Sequence, residues 1–360
     1  MNNKTIKIIG ILTFVIALGL AVIILTGLFS ISSNEKKQEN QGGLEEKLHP
    51  LSIEYMRKQS YPGSEIIIEQ TLPSGSNYNQ YITSYKSDGL KIYALLTVPQ
   101  GDPSAPPQDD NIKYPVIVFN HGYISPTEYR TTERYVAYVD AFARNGYIVF
   151  KPDYRGHGNS EGKAEGGYGS NAYMIDVLNA VSSIKKFKDA ENSSTNSGLI
   201  VDANRIGMWG HSMGGNITLR SMVVSKDIKA GVIWAGVVGS YVDLINNWGM
   251  RTQWTQHTTG WRQTFINQYG TPTQNPIFWN SISANSYIKD ISGPLQLHHA
   301  KEDSHVPFSF SEKLNDQLKN VGKLVEFYSY EGDDHNLTNS FDTAMKRSIE
   351  FFDKYVKGGE

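Results

Sequence analysis

The 360-residue chain contains no cysteine. A thiolate nucleophile, a disulfide framework and cysteine-ligated zinc are therefore excluded, and the redox compartment stays open. No H-E-x-x-H or comparable ligand spacing occurs, so neither a metal nor an organic cofactor is expected. Charge of one sign is also missing as a block: 34 Lys and Arg face 36 Asp and Glu, for a formal net charge of −2. That balance gives no electrostatic footprint for nucleic acid, and none is expected as a partner. No internal repeat is evident.

One long apolar run is present. Residues 8–28 carry no charge and are long enough to cross a bilayer as a helix. Lys4 and Lys7 precede the run, which favours a cytoplasmic N-terminus. We expect a cytoplasmic stub and single-pass membrane anchor over residues 1–31, with the folded domain outside; secretion after signal cleavage is the alternative. Residues 32–63 are expected as a flexible tether, their first dozen polar and low in apolar side chains, and the domain as residues 64–360. Three antiparallel entry strands are expected between residues 65 and 99, with a turn at Ser87-Asp88-Gly89. Strands and helices then alternate, which predicts a mainly parallel sheet flanked by helices. Residues 240–285 break the alternation with Trp248, Trp254, Trp261 and Trp279, and are expected to form a small aromatic-rich cap. Single aromatics there are expected to pack the cap onto the sheet.

The motif with the most chemistry is Gly210-His211-Ser212-Met213-Gly214, after the strand-like run 205–209 and before a helix start at Gly215. A serine between two glycines at a strand-to-helix turn is what a nucleophile elbow needs, because Cβ atoms at the flanking positions would crowd the neighbouring elements. A serine hydroxyl is a poor nucleophile at neutral pH and requires a base, itself held by an acid. In chain order, Asp303 follows the apolar strand 294–298 and His335 follows the alternating strand 325–330. Glu302 is the competing acid, while Asp333 and Asp334 sit too close to His335 in sequence to orient it. His211, His298, His299 and His305 read as packing or loop residues. An oxyanion needs two N–H donors. The Met213 amide, directly after the nucleophile, is one; the Tyr123 amide, in the loop His121-Gly122-Tyr123 after the strand 115–120, is the other.

Taken in order, Ser87-Asp88-Gly89, Asn120-His121-Gly122, the run from Asp153 to Ser160, Gly210-His211-Ser212-Met213-Gly214-Gly215 and the run from His299 to Pro307 resemble the catalytic domain of the prolyl oligopeptidase family. The resemblance covers residues 65–355 and implies an α/β-hydrolase fold. It implies a catalytic triad of Ser212, Asp303 and His335, and an Arg155 that braces a loop beside the site. It also implies a serine-type peptidase acting on short peptides. Gly-His-Ser-Met-Gly-Gly is closer to esterases and lipases, so a carboxylesterase acting on small esters is the second reading. A catalytically silent binding module is the third. No oligomeric state is implied.

Overall fold

The computed structural model describes residues 48–100, 113–187, 201–248 and 255–358. Its centre is a nine-stranded sheet in the order β1-β2-β3-β5-β4-β6-β7-β8-β9. β1 (Ile67–Leu72), β2 (Tyr78–Ser87) and β3 (Leu90–Pro99) form an antiparallel meander, and β3 pairs antiparallel with β5 (Ile148–Pro152). From there the sheet is parallel through β4 (Tyr114–Asn120), β6 (Val201–His211), β7 (Ala230–Trp234), β8 (Leu295–Ala300) and β9 (Val325–Tyr330). The β2–β3 hairpin closes on Asp88 and Gly89, both at positive φ, 49° and 80°. Positive φ at both central residues matches the right-handed strand twist, and an Asp-Gly pair accepts it readily.

The inner strands β4, β5, β7 and β8 are buried on both faces, which is why β4 reads as a continuous apolar run. Successive side chains alternate between faces. Val116 and Val118 join a core with Val177 and Val181 of the helix Ala172–Ile184 and Ile217 and Leu219 of the helix Met213–Val224. Ile117 and Phe119 join the opposite core, with Phe142 of the helix Val136–Arg144 and Phe352 of the helix Phe341–Phe352.

One boundary differs from the sequence expectation. The folded unit begins at Pro50 rather than residue 64. Within the expected tether, a helix spans Ile53–Lys58, capped by Ser52 Oγ accepting from the Tyr55 amide. It buries Ile53 and Met56 completely, and Arg57 donates from Nε and Nη2 to the Val223 carbonyl at 3.0 and 2.7 Å. Three apolar residues at 51, 53 and 56 suffice to dock a short helix, too few to stand out in a polar stretch. The expected membrane span, residues 8–28, lies outside the described residues. Among those described, no helix is long and apolar enough to cross a membrane.

Between β7 and β8 the chain forms three helices, Tyr241–Asn246, Thr255–Tyr269 and Pro276–Ile282, followed by a 3-10 turn. Most of the aromatics there pack inward. Trp279 is fully buried and donates from Nε1 to the Gly270 carbonyl, and Phe278 stacks on Tyr269 at 4.0 Å. Trp254 lies outside the described residues.

Candidate active site

β6 ends at His211, and a helix begins at Met213. Ser212 between them has φ 54° and ψ −117°, a backbone state that a residue with a Cβ rarely adopts. Close packing enforces it. A Cβ on Gly214 would fall 2.0 Å from the Asn120 carbonyl oxygen, and one on Gly210 2.4 Å from that of Gly214. The Ser212 amide donates to the Trp234 carbonyl at 3.0 Å, and its own carbonyl accepts from Gly215 and Val237. The turn is thus held from β7 as well as from its own helix. The helix N-terminus behind Ser212 presents unpaired N–H groups and a positive dipole end.

Asp303 and His335 meet in the loops beyond β8 and β9. His335 Nδ1 lies 2.7 Å from Asp303 Oδ2. Asp303 is anchored besides: Oδ1 accepts the amides of His305 and Val306 at 2.7 and 3.0 Å, and Oδ2 also lies 3.1 Å from His299 Nε2. Burial alone would raise this carboxyl. The hydrogen bonds from His299 and His335, and the proximity of both rings, outweigh burial and hold it well below the usual carboxylate range. An ionised carboxylate only accepts, so His335 carries its proton on Nδ1 and leaves Nε2 as the basic nitrogen. His299 is fixed in turn by Ser311 Oγ at 2.7 Å. The competing acids are engaged elsewhere. Glu302 accepts the Gly332 amide, Asp333 those of Asn339 and Ser340, and Asp334 those of Asn336 and Thr338.

His211 links the elbow to the loop that carries His335. The Gly122 amide donates to Tyr135 Oη at 2.9 Å, Tyr135 Oη lies 2.7 Å from His211 Nδ1, and His211 Nε2 lies 3.0 Å from the His335 carbonyl. A carbonyl only accepts, so Nε2 holds the proton and Tyr135 donates to Nδ1. His211 is therefore neutral, and burial takes its pKa down to about 3.

With the Gly122 N–H committed to Tyr135, Tyr123 supplies the next amide of that loop. Tyr123, Met213, Ser212 and His335 line one cavity of about 810 Å³. His121 is buried below, sandwiched between Tyr154 and Tyr129 at 4.2 and 4.6 Å, with Nδ1 donating to the Gly122 carbonyl at 2.7 Å. Arg155 grips Asp176 through its backbone amide, Nε and Nη2, and reaches Asp88 at 3.0 Å, tying the loop after β5 to the helix Ala172–Ile184 and the β2–β3 hairpin.

His305, expected as a packing residue, instead lines the cavity and stacks on His335 at 4.9 Å. Asp303, His305 and His335 are the described residues whose donor atoms gather at metal-ligand spacing, within 4.8 Å. Asp303 already accepts four N–H groups, an arrangement suited to orienting imidazoles. The sequence reading missed His299 as a second partner of Asp303, although its spacing of four residues was a signal. Tyr135 and Asp176 had none.

This sheet order and elbow are those of the α/β-hydrolase architecture, and the class is that of serine hydrolases. Residues 134–359 match the profile of the prolyl oligopeptidase family, and the chain belongs to that family. It is 26% identical over 268 residues to the uncharacterized peptidase YtmA of Bacillus subtilis, covering 74% of this chain and 90% of that one. It is 27% identical over 255 residues to YitV of the same organism, provisionally named an esterase, covering 67% of this chain and 89% of that one. Among solved structures, the acylaminoacyl peptidase of Pyrococcus horikoshii shares the fold, with a TM-score of 0.59 at 22% identity. That match covers 79% of this chain and 43% of the solved one, so the chain spans under half of that peptidase.

Proposed function

We propose that the chain hydrolyses an amide or ester of a small substrate through an acyl-enzyme on Ser212. The observation that carries this is the buried Asp303–His335 hydrogen bond opening into the same cavity as a serine at a strained apex. His335 Nε2 takes the Ser212 proton as Oγ bonds to the carbonyl carbon. The Met213 and Tyr123 amides receive the oxyanion. Collapse breaks the bond to the leaving group, which takes the proton from His335. Water then attacks the acyl carbon, gives a proton to His335, and the acid departs as the proton returns to Ser212.

A peptidase acting on short peptides is the first reading, from family membership and the name of YtmA. A carboxylesterase is the second, since YitV is equally similar over a comparable length. The test is kcat/KM on p-nitrophenyl esters against aminoacyl and dipeptidyl p-nitroanilides, with Ser212→Ala as the blank. Substantial anilide cleavage establishes the peptidase; fast ester turnover with negligible anilide cleavage establishes the esterase. Turnover that survives Ser212→Ala, or a Ser212 that a fluorophosphonate does not label, defeats the proposal.

A further inference from the structure

The cavity at Ser212 holds a cation with no counter-ion among the described residues. Arg262, on the helix Thr255–Tyr269, lines it together with Trp248 and Trp261. Its half-buried guanidinium lies over those two indoles, 5.4 and 5.8 Å from the ring centroids. Among the described residues it donates once, from Nη1 to the Trp248 carbonyl at 3.2 Å. Among the same residues its Nε is buried without a partner, as is Trp261 Nε1. No ion pair among the described residues includes Arg262. Glu165, the acidic side chain on the same cavity wall, lies 3.8 Å from Lys163 Nζ instead. Residues 249–259, next in sequence, contain no Asp or Glu. With Arg134 also on the wall, the described lining residues carry two cations and one anion.

A guanidinium offers five N–H donors in a planar fork that matches a carboxylate. Taking it partly out of water without an anion is unfavourable, and the indole faces offset that only in part. Burial lowers the Arg262 pKa, the direction expected for a desolvated cation, yet a guanidinium stays protonated at any working pH. The indoles also hold the guanidinium plane and add apolar wall beside it. A group that merely glued the cap down would sit equally well with its charge in solvent.

We propose that Arg262 recognises a carboxylate on the substrate, so that the preferred esters or amides carry a free carboxylate on an apolar body. The inference rests on the serine-hydrolase reading of the site, and two experiments separate their failures. In the first, 4-phenylbutyrate and its neutral amide are titrated into the native chain, read by tryptophan fluorescence without turnover. The acid should bind about 10- to 100-fold tighter, the range of a charge-assisted hydrogen bond. Arg262→Met should remove the difference, and Arg262→Lys should keep part of it. In the second, kcat/KM for the mono-p-nitrophenyl ester of glutaric acid is compared with that for p-nitrophenyl pentanoate, and the acid-to-neutral ratio should fall in Arg262→Met. Equal binding of acid and amide by the native chain, or a preference that survives Arg262→Met, overturns the proposal. Acid-selective binding with neither ester nor anilide turnover would retire the hydrolase reading and keep the subsite. Should Arg262→Met fail to fold, the acid–amide comparison in the native chain and in Arg262→Lys decides.

Discussion

Asp303 accepts four N–H groups, two from the backbone and two from imidazoles, while its side chain is fully buried. An amide in its place would turn an NH₂ toward donors on at least one side. It would also select the His335 tautomer with its proton on Nε2, leaving no base facing Ser212. Asp303→Asn should therefore lower kcat by ~10⁴, the size of a wrong-tautomer defect. Glu302→Gln and Asp333→Asn should leave kcat near that of the parent, since those carboxylates brace the loops. The check is the three rate constants on one ester. A defect in Glu302→Gln that matches Asp303→Asn would move the acid one residue. The same geometry explains why His299 is buried beside Asp303: it occupies the second lone pair of Oδ2 and so holds the carboxylate toward His335.

Three loops and a helix start border the cavity that Ser212 lines. Tyr135, at φ 55° just before the helix Val136–Arg144, ties the loop after β4 to the end of β6, and His211 carries the tie on to the loop after β9. Tyr135→Phe leaves the Gly122 amide and His211 Nδ1 unpartnered. We expect kcat to fall about tenfold with KM little changed, and stability to fall by about 1–3 kcal/mol, the penalty for an unsatisfied buried group. Unchanged kcat with lowered stability would make the tie structural only. This network also marks where legibility in the sequence ended. The strand–helix alternation, the elbow and the order of Ser212, Asp303 and His335 could be read because each lies at the end of a periodic segment. A single hydrogen bond between Tyr135 and His211, 76 residues apart, or the group of them between Arg155 and Asp176, leaves no periodic trace. The cap shows the same limit. Composition announced the tryptophans, but which of them faces the cavity (Trp248 and Trp261) and which the core (Trp279) depends on how its helices dock.

Across the molecule, several histidines are folded away in neutral form. Burial lowers both His211 and His298 to about 3, and His121 falls well below its ordinary value for the same reason. In the unfolded chain each would titrate near 6.5. Between those values the unfolded state binds the proton and the native state does not, so stability is lost as pH falls from about 6.5 toward 3. Asp153 works the other way. Burial raises its carboxyl to about 6, so between the ordinary carboxylate range and that value the native state holds the extra proton and stability falls as pH rises. The net slope mixes these opposing groups, and a variant isolates one. His298 lies away from the cavity, held between Tyr330 Oη and Gln296 Oε1, both at 2.7 Å. His298→Gln should cut the slope of unfolding free energy against pH by about 1.4 kcal/mol per pH unit between pH 4 and 6, one proton's worth. Urea unfolding of parent and variant across that range is the measurement. Its lost hydrogen bonds will lower the variant's stability at pH 7, but the two curves should converge on acidification; parallel curves would mean that His298 is already protonated in the fold.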